Sequence, residues 1–319
     1  MQSFAFKRYL PIGSPAIAVE YLDRWGVDEI VVLDTDATTL TRQPEFDRIG
    51  LYSRYCHVPL TVGGGITAVD DIVRMLQAGA DKVVMNTAAV DNPQLIRDGA
   101  RLFGSQCIVV SVDARCAKLG EYVTVTRSGT ELTGYTPVEL AKRAEDHGAG
   151  EIILTAVHRD GARTGYDLEL IESVIDAVAI PVVICGGVGH PEHFRPAIDL
   201  GVSAVAAANF FHYTEHSVIV CKSFLTASGS DVRLDSYVTY DGIEFDSHGR
   251  VGKREDDALE RLGAVQGALA VERAHDRVLL AHAQRARLQL APALLTISTI
   301  LVEVVPRTIL SSTSTMRLP

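Results

Sequence analysis

With 319 residues, 47% of them hydrophobic, and a net charge of -10, the chain can bury one large core, and its length suits a single α/β barrel with an appendage better than two unrelated domains. The acidic balance argues against general affinity for nucleic acid or anionic lipid, while leaving room for a locally positive pocket made of backbone dipoles. The five cysteines, at 56, 107, 116, 185 and 221, contain no CxxC pair, which points to reduced thiols and the cytoplasm. No signal peptide opens the chain, and the longest apolar run, Leu290 to Val305, is broken by Pro292 and Glu303, so no membrane segment is expected.

Seven near-continuous apolar runs read in chain order as strands buried on both faces: "EIVVLDTDA" from Glu29, "VPLTVGGGI" from Val58, "DKVVMNTAA" from Asp81, "CIVVSVDA" from Cys107, "EIILTAVHRDG" from Glu151, "IPVVICGGVG" from Ile180 and "VSAVAAANFF" from Val202. Between them lie amphipathic stretches such as "TAVDDIVRMLQAGA" and "TPVELAKRAEDHGAG", each with an N-cap threonine, helical apolar spacing and a closing glycine. Repeated strand–helix units of this kind predict a parallel sheet.

An internal repeat decides which sheet. "VGGGI" is followed by "MNTAA", with Asn86 lying 23 positions after Gly63, and "CGGVG" is followed by "AANFF", with Asn209 lying 23 positions after Gly186. Duplication of a half with four strands closes an eight-stranded (β/α)8 TIM barrel, with an open doubly wound sheet as the other arrangement. Only seven strands are legible, and the missing one is the first. The barrel is expected over 1–225, a small appended segment with a strand pair and a charged helix over 226–275, and over 276–319 a tail that is disordered or aberrant. From Arg277 to Pro319 there are five arginines and one acid, Glu303, an abrupt shift to which no function is assigned.

In such a barrel the loops at the carboxyl ends of the strands form the site. Asp113, in "VVSVDARC", stands where a strand would run into a loop and suits general acid/base work, or the capping of a helix. A glycine triplet at 63–65, together with Asn86 and Thr87, offers donors to an anion; Gly186, Gly187, Ala208 and Asn209 repeat the arrangement in the other half. One such turn alone would read as packing, but a duplicated pair in register favours a ligand with a phosphate at each end. Asp34 and Asp36 have the spacing of one strand face and fit either a ligand contact or a turn cap. Thr155 sits at a strand end, and Asp160 suits support of a phosphate loop. His212 and His216 have i, i+4 spacing but no third ligand, and His158 reads as a loop residue, so neither a metal nor a cofactor is expected.

Together "LDTDAT", "PLTVGGGI", "DKVVMNTAAV", "VVSVDA", "GAGEIILTAVHRDGARTGYD", "CGGVG" and "AAANFFH" closely resemble the cyclase subunit family of imidazole glycerol phosphate synthase, over about Ile12 to Leu225. The resemblance implies a lyase/cyclase of histidine biosynthesis. It would take ammonia from a glutamine amidotransferase partner, in a heterodimer, and convert a bis-phosphorylated ribulosyl-aminoimidazole carboxamide to imidazole glycerol phosphate. By position it carries over Asp113 as one of two catalytic aspartates. Gly65, Asn86 and Thr87 carry over as one phosphate site, and Gly161, Gly187, Ala208 and Asn209 as the other, with Thr155 and Asp160 around the substrate; Asp34 is added to these as a substrate contact from its place at a strand end. Glu29, Lys82 and Glu151 match three of the four members of an ammonia gate, and Asp81 matches a residue at the partner interface. The second aspartate and the gate's arginine belong to the first strand. "LDTDAT", "FKRYLPIGSP" and the tail from Asp241 resemble a divergent branch found with surface-polysaccharide genes, where the barrel passes ammonia toward amidination of a sugar. A phosphoribosyl isomerase shares the fold, but the set Glu29, Lys82 and Glu151 argues against it.

Overall fold

The computed structural model describes residues 2–10, 13–118, 120–213, 217–234 and 298–304. A hairpin opens the chain, β1 (Gln2–Phe4) and β2 (Arg8–Leu10), followed by α1 (Pro15–Arg24), β3 (Glu29–Asp34), α2 (Phe46–Ser53), β4 (Leu60–Gly63), α3 (Val69–Gln77) and β5 (Lys82–Met85). Next come α4 (Thr87–Asp91), α5 (Gln94–Phe103), β6 (Ile108–Lys118), β7 (Glu121–Thr126), β8 (Glu131–Leu132), α6 (Pro137–Asp146), β9 (Glu151–Ala156) and α7 (Leu168–Ile175). The remaining elements are β10 (Val182–Cys185), α8 (Phe194–Asp199), β11 (Ala204–Ala207), α9 (Asn209–Tyr213), α10 (Val218–Ala227) and β12 (Ser298–Val304).

All seven expected strands are present, as β3, β4, β5, β6, β9, β10 and β11, and each lies parallel to its neighbour. The eighth place, between β11 and β3, is held by β12, which runs antiparallel to both and closes the ring. "STILVEV" is rich in β-branched residues, as a strand requires, and pairing on both sides removes the two edges that β3 and β11 would otherwise expose. The expected gap at the first strand is thus filled from residues 298–304, within the stretch for which no ordered part was expected. The strand pair and charged helix expected within 232–262 fall outside the described residues, Leu234 being the last before 298.

The period of two along each strand sorts the core. Ile30, Val32, Val83, Met85, Ile108, Val110, Ile152, Leu154, Val182 and Ile184 face outward into one large cluster with the helices. The alternate residues Val31, Val84, Val109, Ile153, Val183, Ala204 and Ala206 fill the barrel's interior. Helix α6 starts as its sequence predicts, with Thr136 and Glu139 in a reciprocal capping box. In α3 the cap differs: Ala68 is the N-cap, and the Asp71 carboxylate accepts from the backbone N–H groups of Thr67 and Ala68 at 2.8 and 3.0 Å. Among the described residues no helix is long and apolar enough to cross a membrane.

Candidate active site

The mouth at the carboxyl ends of the strands holds a cavity lined by Asp113, Thr155, Asp34, Asp160, both glycine turns and the opening hairpin. Asp113 does not lie at the end of its strand. β6 continues to Lys118, and at Asp113 it begins to pair antiparallel with β7 while still pairing with β9 on its other side. The aspartate is therefore held between two ladders and is only 8% exposed. Burial pushes its pKa up to about 6, against the opposing hydrogen bonds from Ser111 and Thr155 and with help from the Asp160 charge. The Ser111 hydroxyl donates to Asp113 Oδ1 at 2.9 Å. The motifs do not single out Ser111, although it lies two residues before Asp113 and so on the same strand face.

The two glycine turns are built alike. Gly64 has φ +111, and a Cβ there would lie 2.2 Å from the backbone oxygen of Asp34; Gly186 has φ +99, and a Cβ would lie 2.7 Å from that of Ala156. In each half the turn is pressed onto the end of the preceding strand, a fit that only glycine tolerates. Gly65, Gly187 and Ala208 line the cavity beside them. The asparagines that follow line the same cavity and turn their side-chain amides on the protein's own backbone. Asn86 donates its amide to the backbone oxygens of Ser111 and Val125, at 3.1 and 3.4 Å, tying β5 to β6 and β7. Asn209 donates to Ser3 O at 2.8 Å and accepts from Ser3 N at 3.2 Å, which fastens the opening hairpin to the start of α9. The Thr87 hydroxyl accepts from Arg127 N at 3.1 Å and donates to Asn86 Oδ1 at 3.5 Å.

Asp34 organises its own loop, accepting from Asp36 N, Ala37 N and Arg42. Burial raises its pKa, and the Arg42 guanidinium works against that rise. Arg42 in turn meets Glu45 at 2.6 Å. Asp160, also raised in pKa by burial, carries the hairpin through its backbone oxygen, which accepts from Ala5 N at 3.0 Å, and Gly161 packs beneath Ser3 and Phe4. His158 does not enter the cavity. Its Nε2 meets Asp167 at 2.8 Å and its Nδ1 accepts from Cys116 N at 3.3 Å, while Tyr122 donates to the same Asp167 at 2.9 Å. These contacts pin the β6–β7 hairpin to α7. Ser128, likewise unmarked by any motif, lines the cavity and donates to Thr35 O at 2.6 Å. His216 lies outside the described residues, and of His212 only the backbone in α9 is described.

At the other end of the same strands, Glu29, Lys82 and Glu151 are the first residues of β3, β5 and β9. Lys82 Nζ lies 2.7 Å from Glu29 and 2.9 Å from Glu151, and the Thr61 hydroxyl donates to Glu29. Burial disfavours the ammonium, but the two carboxylates outweigh it and raise the Lys82 pKa. The Glu151 pKa is also raised, because burial and the Glu29 charge together exceed the pull of Lys82. Among the described residues Glu151 Oε1 is buried without a hydrogen-bond partner. Asp81 stands alongside, exposed, with its carboxylate accepting from Leu60 N at 2.8 Å. The apolar interior of Val31, Val109, Ile153 and Val183 separates this cluster from the mouth.

Parallel strands alternating with helices and closed into a ring, with a glycine turn in each half, make this an α/β barrel of the TIM type. The family model described as "Histidine biosynthesis protein" matches residues 2–217. A protein of Vibrio vulnificus (strain YJ016), provisionally named imidazole glycerol phosphate synthase subunit hisF2, is 45% identical over 255 residues, covering 78% of this chain and 92% of its own length. The chain belongs to the histidine biosynthesis protein family.

Proposed function

We propose that this chain is the synthase barrel of a glutamine-dependent pair, in which ammonia from an amidotransferase enters past Glu29, Lys82 and Glu151 and is used at the mouth beside Asp113. The substrate of this reading is the bis-phosphorylated ribulosyl-aminoimidazole carboxamide, cyclised and cleaved to imidazole glycerol phosphate and the aminoimidazole carboxamide ribotide. The observation that carries it is the position of the two buried charge sites at opposite ends of one set of strands: Glu29 begins β3 and Glu151 begins β9, while Asp113 lies level with Thr155 near the end of β9. Ammonia delivered at one end then reaches an acid/base group at the other without crossing bulk water.

Each residue has a role in this reading. Gly65, Thr87 and the turn at Asn86 hold one phosphate, and Gly161, Gly187, Ala208 and Asn209 hold the other, through backbone amides that add no counter-charge. Asp113, with its pKa near 6, is largely ionised at neutral pH yet close enough to it to take a proton from the incoming nitrogen and return it to the departing one. Asp34, Thr155 and Asp160 orient the chain between the phosphates. Asp81 meets the partner subunit. The test is turnover of that substrate with ammonium salts alone, comparing the chain with Asp113→Asn: formation of both products by the parent and loss of about a thousandfold in the variant support the reading, and equal rates contradict it.

A second reading is favoured by one observation. In the place between β11 and β3, Ser298 pairs with Asp34 at the mouth, so among the described residues this strand brings no acid to the mouth. A barrel that conducts ammonia to an amidation performed elsewhere would keep Glu29, Lys82 and Glu151 while doing without a second acid. It predicts glutamine-dependent amidination of a sugar by the pair and no cyclisation.

A further inference from the structure

The opening hairpin is held by the site itself. Its turn is closed by Lys7 N donating to Phe4 O at 3.0 Å, and its two central residues, Ala5 and Phe6, have φ +50 and +56. Three residues separate the paired Phe4 and Arg8, and the first two of them take the left-handed conformation, at a cost of about 1–2 kcal/mol per non-glycine residue. Three sets of contacts hold it in place: Ala5 N on Asp160 O, the two bonds of Asn209 to the Ser3 backbone, and the packing of Phe6 over Gly129. Non-glycine residues in this region persist where the surroundings over-determine them, and such positions cluster at ligand sites.

Register then places one more side chain. Ser3 is paired with Tyr9 across the hairpin, so the two side chains share a face, and both line the cavity with Asp113 and Asp160. The Tyr9 hydroxyl gives its hydrogen to Phe6 O at 3.1 Å, which leaves its lone pairs available to accept. We propose that Tyr9 is a specificity-determining residue, its phenol oxygen accepting a hydrogen bond from a hydroxyl of the sugar chain that runs between the two phosphate turns. This rests on reading the mouth as a bis-phosphate site.

The chemistry favours a phenol at this position. Burial, together with the charges of Asp160, Asp36 and Asp113, pushes the Tyr9 pKa up to about 12, so it is neutral at every working pH. A neutral acceptor adds no further negative charge to a mouth that already holds the carboxyl groups of Asp34, Asp113 and Asp160 and must admit two phosphates. A carboxylate there would accept the same hydrogen bond but repel the ligand.

The test compares Tyr9→Phe, which removes one oxygen, with the parent chain on three probes by titration calorimetry: ribulose bisphosphate, pentanediol bisphosphate and inorganic phosphate. The diol ligand has the two phosphates but no hydroxyl between them. The proposal expects Kd for ribulose bisphosphate to rise about tenfold in the variant, as for one hydrogen bond lost, with the other two ligands unchanged. Equal weakening of both bisphosphates would assign Tyr9 a merely structural part and overturn the proposal, as would no change in any Kd. A parent chain that binds neither bisphosphate overturns the reading of the mouth, and Tyr9 with it.

Discussion

The Ser111 hydroxyl donates to Asp113 Oδ1 at 2.9 Å, along one face of β6. This bond stabilises the ionised carboxylate, against a burial that raises its pKa from 3.8 to about 6. Activity that needs the carboxylate should therefore rise with pH through an apparent pKa near 6. Ser111→Ala removes a lowering influence, so the acid limb should move upward in the pH profile of kcat/KM. A limb that stays in place would detach Asp113 from the rate.

The same raised pKa has a consequence for stability. A folded-state pKa above the unfolded value means that the protonated folded form is preferred, so the contribution of Asp113 is fully favourable below pH 3.8 and is lost as pH rises through about 6. Above that, keeping the buried group ionised costs about 3 kcal/mol, each factor of ten in the proton equilibrium being worth about 1.4 kcal/mol. Asp113→Asn should be inactive but more stable at pH 8 by up to that amount, with the gain shrinking toward pH 4. Urea unfolding at the two pH values measures it.

Lys82 is the shared counter-charge of two buried carboxylates. Lys82→Met should cost about 3–5 kcal/mol at pH 7, the range for breaking a buried ion pair. Because the Glu151 pKa is already raised, protonation of that carboxyl at pH 5 should recover part of the loss. A cost that is independent of pH would mean that Glu151 is not held charged by Lys82.

Gly186→Ala forces a Cβ to within 2.7 Å of Ala156 O at φ +99. The expected cost is about 1–3 kcal/mol, since strained backbone positions carry costs of that order. Phosphate affinity should fall with it, because Gly187 belongs to the same turn and lines the cavity. Gly201, with nothing within 4 Å of an added Cβ, is the control: its variant bears only the unfavourable φ and should leave phosphate affinity intact.

The legible part of this molecule was the part under the strongest constraint. Strands covered on both faces must be apolar almost throughout, so β3, β4, β5, β6, β9, β10 and β11 were all visible. The hairpins were not. The β1–β2 turn uses Ala5 and Phe6 where a glycine or asparagine would have announced it, and β7, "EYVTVT", alternates as a strand does but lies outside the ring, paired antiparallel to the end of β6. β12 was hidden by position: nothing local in "STILVEV" says that its neighbours are β3 and β11, more than 260 residues away in one case and about 95 in the other. At the site, Gly65, Gly187, Ala208, Thr155 and Asp113 do line one cavity. Asn86 and Asn209 line it too, and their side-chain amides also hold the backbone that shapes the mouth, a second part that residue type cannot reveal.

The central claim is that ammonia passes from the Glu29, Lys82 and Glu151 cluster to the mouth, and the ratio of product formed to glutamine hydrolysed tests it most directly. With the barrel and its amidotransferase partner combined, the account predicts a ratio near one for the parent chain. For Lys82→Glu it predicts a fall of about tenfold or more, with product formation from added ammonium salts retained. A ratio unchanged by Lys82→Glu, in a pair that still assembles, would contradict it.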